Sequence, residues 1–151
     1  MFIFLLIIVA IIGYILYNIH RDIEYKKNVI ELADRGVPEY QDILNKFFDD
    51  GMTDEEHNKL RKERYLPKAQ KGDPHAEYYM GLLADNKENR LSWWTKSAEH
   101  GNIEAMNALA LGYSKWINED DDDMFAFGYK PELENYWRNR IEEVKRYQQE
   151  N

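Results

Sequence analysis

The chain has 151 residues, a formal net charge of −8 and no cysteine. The negative charge argues against a nucleic-acid partner, because phosphate binding needs a basic surface. The lack of cysteine excludes disulfides, thiolate metal ligands and a cysteine nucleophile.

The first predicted element is a membrane-spanning helix. Residues 2–19 read FIFLLIIVAIIGYILYNI and contain no charged side chain. At about 1.5 Å per residue they give roughly 27 Å of helix, close to the hydrocarbon thickness of a bilayer. A cleaved signal peptide would need a basic start and a small-residue cleavage site, and neither is present. The sequence therefore predicts a single-pass anchor over residues 1–20 in the inner (plasma) membrane.

The charges next to the span indicate its orientation. Arg21, Lys26 and Lys27 follow the apolar stretch closely, whereas the N-terminal side carries only the α-amine. The positive-inside rule counts such residues and favours a cytoplasmic body. A periplasmic or otherwise extracytoplasmic body is the alternative.

Residues 21–151 are predicted to form an acidic, all-helical domain, since no segment shows the alternation or the β-branched enrichment of a strand. The predicted helices cover residues 21–35, 38–49, 54–71, 74–85, 88–100, 103–117 and 131–149. The first either continues the span or follows a kink, and Pro67 is expected to bend or divide the third. Residues 118–130 are predicted to be a loop, in which the acidic run Glu119–Asp123 is interpreted as solvated, with contact to a basic partner as the alternative.

A spacing of small and apolar residues recurs along this domain. One copy consists of Ala98, Gly101, Ala105, Leu109 and Tyr113. The same spacing 29 residues earlier gives Ala69, Gly72, Ala76, Met80 and Ala84. A weaker first copy consists of Ala33, Gly36, Tyr40, Leu44 and Phe48.

Physically, this spacing describes a pair of helices joined by a glycine. Glycine in A-x-x-G can adopt the left-handed conformation that closes a helix. The apolar positions that follow form a stripe at helical spacing that faces a core. Because such pairs cannot bury their apolar faces alone, we expect them to stack.

The best copy resembles a known family. Residues 90–113, RLSWWTKSAEHGNIEAMNALALGY, resemble a Sel1-like repeat, a relative of the tetratricopeptide repeat. That family has an aromatic pair, then A-A-x-x-G, then A-x-x-x-L-G and a tyrosine. Trp93 and Trp94 match the pair, whereas Ala110 replaces the glycine that Gly81 keeps in the preceding copy. The resemblance is strong over residues 64–113 and weak over 25–63, and it implies a short α-solenoid used for protein–protein contacts.

Four aromatic residues are the candidate partner contacts, namely Tyr79, Trp93, Trp116 and Tyr136. In stacked helices one member of an adjacent aromatic pair points inward, so core positions are assigned to Tyr78, Trp94 and Tyr113. The four candidates are expected to be more exposed, and exposed Trp and Tyr are frequent binding hot spots.

No motif indicates catalysis, a metal or a cofactor. The four histidines form no spaced ligand pair, and no phosphate-cradling or nucleophile motif occurs. The leading hypothesis is therefore a membrane-anchored adaptor that binds another protein and is not an enzyme. The alternatives are an immunity protein that neutralises a toxin at the membrane, and a structural subunit of a membrane complex.

Overall fold

The computed structural model describes residues 2–115 and 125–150, which form seven α-helices and no strand. The helices are α1 (Phe2–Asp34), α2 (Pro38–Asp49), α3 (Asp54–Ala69), α4 (Pro74–Leu82), α5 (Lys87–Glu99), α6 (Ile103–Gly112) and α7 (Pro131–Glu150). They belong to two compact units, unit 1 (Met1–Arg64) and unit 2 (Tyr65–Asn151). The all-helical prediction is confirmed for the described residues.

The N-terminal helix α1 is continuous over 33 residues. It joins the apolar stretch to the helix predicted over residues 21–35 without a break, so the predicted boundary at residue 20 lies inside a helix. Every side chain from Leu6 to Tyr17 is exposed. Among the helices of the described residues, α1 is the one that is long and apolar enough to cross a membrane.

Unit 1 is completed by the C-terminal half of α1. Its buried core consists of Val29, Ile30, Ala33, Leu44, Met52 and Leu60, which come from α1, α2, α3 and the turn between α2 and α3. Ion pairs then connect α1 to α3: the Lys27 Nζ atom lies 2.9 Å from Glu63 Oε2, and Glu31 pairs with Arg64. The polar face of α3 is thereby held against α1 while its apolar face fills the core.

A buried histidine also belongs to unit 1. His57 is 8% exposed and packs edge-on against Phe48, with ring centroids 5.1 Å apart. Burial lowers the pKa of His57, and the positive charge of Arg61 lowers it further. The ring is therefore neutral at neutral pH and packs as a core residue.

Unit 2 is built from helices that pack on their neighbours in chain order, α4 on α5, α5 on α6 and α6 on α7. Its main cluster contains Trp94, Ala98, Ala105, Met106, Leu109, Ala110, Tyr113, Trp137 and Ile141. A smaller cluster contains Tyr65, Ala69, Ala76 and Met80. The alanines allow neighbouring helices to approach closely, and the large rings fill the remaining space.

Two links in unit 2 share one geometry. Gly72 (φ 82°) and Gly101 (φ 91°) are left-handed, and their amides donate to Ala69 O and Ala98 O. The next residue then caps the following helix in each copy. Asp73 Oδ1 accepts from the Ala76 amide at 2.9 Å, and Asn102 Oδ1 accepts from the Ala105 amide at 2.7 Å. Positions aligned by the 29-residue spacing thus make the same hydrogen bonds.

A buried carboxylate fastens the end of α5 to α4. Glu77 is 2% exposed, and its Oε2 atom lies 2.7 Å from His100 Nδ1. Ser97 Oγ donates to Pro74 O at 2.6 Å beside it. These polar contacts fix the register of the two helices, because a buried carboxylate without a partner would be strongly unfavourable.

Several helix ends differ from the predictions. α4 ends at Leu82 instead of residue 85, because buried Arg90 donates to Gly81 O (3.1 Å) and Leu82 O (3.2 Å) and so satisfies the last carbonyls. α3 continues through Pro67 to Ala69, so the proline does not divide it.

The shorter α6 has a different cause. It ends at Gly112 instead of residue 117, because the carbonyls of Gly112 and Tyr113 accept from the amides of Phe127 (2.8 Å) and Lys130 (3.0 Å). Residues 125–130 therefore run along the end of α6 before α7 begins at Pro131, as predicted.

Candidate functional site

The predicted partner contacts fall into three different environments. Tyr136 on α7 is 50% exposed, as expected. Tyr79 and Trp93 are less exposed than expected, because both are half-buried and pack on the smaller cluster of unit 2. Trp116 and the acidic run Glu119–Asp123 lie outside the described residues.

Ring stacking explains the position of Tyr79. Its ring lies parallel to that of Tyr65, with centroids 4.8 Å apart and an interplanar angle of 12°. The ring of Trp93 is covered by the Lys96 ammonium, 4.7 Å from its centroid. Both rings pack against the smaller cluster and so help to hold unit 2 together. Their contact with a partner stays a prediction.

The residues of the repeat spacing are internal. Most of the non-glycine members are buried, namely Ala33, Leu44, Ala69, Ala76, Met80, Ala98, Ala105, Leu109 and Tyr113. The remaining members, Tyr40, Phe48 and Ala84, are half-buried. These residues hold the helices in place, so a binding surface must be formed by other side chains.

An apolar groove of about 380 Å³ opens between α4 and α6. Tyr78 and Leu82 of α4 form one wall, and Ala108 and Leu111 of α6 form the other. Phe125 closes one side. Two of these residues expose large apolar surfaces, since Leu111 is 52% and Phe125 is 42% exposed. Such a concave apolar surface is typical of a site that is covered by a ligand or a partner.

The floor of the groove is Trp94, which is 1% exposed. Its indole stacks on Tyr78, with centroids 6.1 Å apart, and its Nε1–H donates to Tyr78 O at 3.2 Å. Gly81 makes room for the indole, because a Cβ atom there would lie 2.3 Å from Trp94 Cδ1. The floor is therefore rigid and preformed.

An arginine supports the far side of this floor. The Arg90 guanidinium lies 4.5 Å from the Phe125 ring centroid and 5.5 Å from that of Trp94. Because Arg90 also binds the end of α4, one buried side chain fixes the helix end and both rings.

The rim of the groove is negative. Glu104 of α6 is exposed, and no Lys or Arg of residues 2–115 and 125–150 forms an ion pair with it. The pKa of the Tyr78 phenol is raised by burial first and by the Glu104 charge second. A ligand would thus meet an apolar floor and a carboxylate at one end.

Other hollows in the described residues are more polar. One of about 420 Å³ in unit 2 has Lys87, Glu88 and Leu91 in its wall. One of about 390 Å³ in unit 1 has Asp22, Lys26 and Glu56 in its wall. The α4–α6 groove is the more apolar surface, and we take it as the candidate binding site.

Sequence reasoning did not identify Leu82, Glu104, Leu111 or Phe125 as site residues. A signal was present, because α6 is apolar on more sides than one core-facing stripe requires. Periodicity alone could not tell which of its apolar residues would stay uncovered.

Comparisons of the chain with protein-family models, with curated proteins and with solved structures found no match.

Proposed function

We propose that the protein is a membrane-anchored protein–protein interaction module, built as a short Sel1-like, tetratricopeptide-like helical solenoid. The observation that carries this proposal is the α4–α6 groove, whose apolar walls include the exposed Leu111 and Phe125. Exposed apolar surface of this kind is unfavourable in water unless a partner covers it.

Two further observations support the solenoid. The links at Gly72 and Gly101 have the same closure and the same side-chain cap. The helices of unit 2 also pack on their neighbours in chain order, as stacked repeats do.

The tether in this proposal is the apolar part of α1, which crosses the inner (plasma) membrane with the body on the cytoplasmic side. Its side chains from Leu6 to Tyr17 are uncovered, and Arg21, Lys26 and Lys27 follow. Tethering raises the effective concentration of the module for a partner at the same membrane without any new contact.

The anchor is tested by charging it. Replacing Ile8 and Ile12 with arginine should release the protein from membranes, because each arginine near a span centre disfavours insertion by about 2.5–3.5 kcal/mol. The measurement is alkaline extraction of membranes followed by detection of the pellet and supernatant fractions. The matched Ile8→Leu, Ile12→Leu variant should remain in the pellet, and an arginine variant that also stays there would refute the span.

The binding module is tested by affinity purification of the full chain from detergent-solubilised membranes of its native cell. A Leu111→Asp, Phe125→Asp variant should lose its partner, because the charges would be desolvated against the apolar occupant. Tyr147→Asp is the control, since Tyr147 is 70% exposed on α7 and does not line the groove. Partner recovery that is equal in all three proteins would contradict the proposal. A recovered toxin or membrane-complex component would define the narrower role.

A further inference from the structure

The two ends of the groove differ, and the distance between them follows from helix geometry. Glu104, Ala108 and Leu111 lie on one stripe of α6 at spacings of four and three residues. Seven residues of helix rise by about 10 Å, so that distance separates the carboxylate end from the Leu111 end. The opposite wall contains Tyr78 and Leu82, which lie one turn apart on α4.

The two ends also differ in chemistry. The Leu111 end is apolar and receives Phe125, whose ring packs on Trp94 with centroids 5.6 Å apart. The Glu104 end has an exposed carboxylate that is not ion-paired within the described residues. Glu88 and Glu132 are also exposed and have no ion pair in this part of the chain, but neither lines the α4–α6 groove. A negative charge beside an apolar groove favours a ligand with a complementary positive charge.

We infer that the α4–α6 groove binds a segment of another polypeptide that places a bulky apolar side chain against Leu111 and Phe125 and a lysine or arginine at Glu104, about 10 Å away. This inference rests on the proposed function and adds the chemistry and spacing of the occupant. The apolar side chain contributes most of the affinity, because it is desolvated against the exposed surfaces of Leu111 and Phe125. The ion pair at Glu104 contributes little to the affinity, because it is exposed to solvent. Its role is to set the direction in which the peptide lies in the groove and to select peptides with a basic residue.

The test uses random linear peptides displayed on phage and the full chain in nanodiscs of zwitterionic lipid, after depletion on empty nanodiscs. The selected peptides should contain a Leu, Phe or Met two or four residues from a Lys or Arg if extended, since alternate residues share a face, or about seven if helical. On a Glu104→Lys variant the selected charge should change to Asp or Glu. For one selected peptide, Glu104→Gln should weaken binding about two- to fivefold, and Leu111→Asp about tenfold or more.

The outcomes separate this inference from the proposed function. Binding that depends on Leu111, with no charge preference and no response to Glu104→Lys, would overturn the occupant and leave the binding module intact. Binding unaffected by Leu111→Asp, or no enrichment at all, would overturn the groove as the docking site. A dimer in mass photometry that Leu111→Asp dissociates would identify a second copy as the occupant and would also overturn the inference. Tyr147→Asp and circular dichroism control for folding.

Discussion

Replacement of Trp94 by alanine is expected to lower the free energy of unfolding of unit 2 by about 3–5 kcal/mol. The indole is 1% exposed, and it contacts Tyr78, Phe125 and Phe127. Its removal leaves a cavity in the main cluster and removes the hydrogen bond to Tyr78 O. Hydrogen exchange of the α4–α6 amides in the full chain measures the change.

The neighbouring tryptophan provides the matched control. Trp93 has the same chemistry but is half-buried on the smaller cluster, so Trp93→Ala should cost only about 1 kcal/mol. Equal losses for the two variants would contradict the assignment of Trp94 as the floor of the groove and the centre of the core.

Gly81→Ala is expected to destabilise unit 2 by about 1–3 kcal/mol, although alanine is the better helix former. The added Cβ atom would lie 2.3 Å from Trp94 Cδ1 and 2.4 Å from Nε1, so the indole would have to move. Movement of the Trp94 indole would also weaken the binding of any ligand in the groove. The change in hydrogen exchange of α4 and α5 reports the loss.

A double-mutant cycle identifies the cause of this loss. In a Trp94→Phe background the smaller ring leaves room, so Gly81→Ala should cost less there, with a coupling energy of about 0.5–3 kcal/mol. Gly13→Ala on α1 is the control, since nothing lies within 4 Å of its added Cβ atom and unit 2 should be unchanged. Additive effects of the Gly81 and Trp94 substitutions would show that this contact does not limit packing.

The helices could be predicted well from the sequence, whereas the groove could not. The glycine links act locally, so A-x-x-G was sufficient to place the links between helices. The ends of α4 and α6 depend instead on Arg90 and on residues 125–130, which approach from elsewhere in the chain. Such contacts leave no periodic signal.

The same difference explains the candidate site. Trp94 was assigned to the core from its pairing with Trp93, and it is buried. Tyr79 was expected on the surface, but it stacks on Tyr65, a contact between residues 14 positions apart that helical spacing alone does not predict. Leu111 stays 52% exposed because the α4–α6 groove leaves it without a neighbouring helix, which is a property of tertiary packing.

The central claim is that the groove contacts another protein at the membrane. The most direct measurement places a photo-crosslinking amino acid at position 111 of the full chain in intact native membranes, with position 147 as the control. We predict one discrete adduct with a second protein from position 111, whereas the exposed position 147 gives none of that mass. No adduct at position 111, or the same adducts from both positions, would contradict the account.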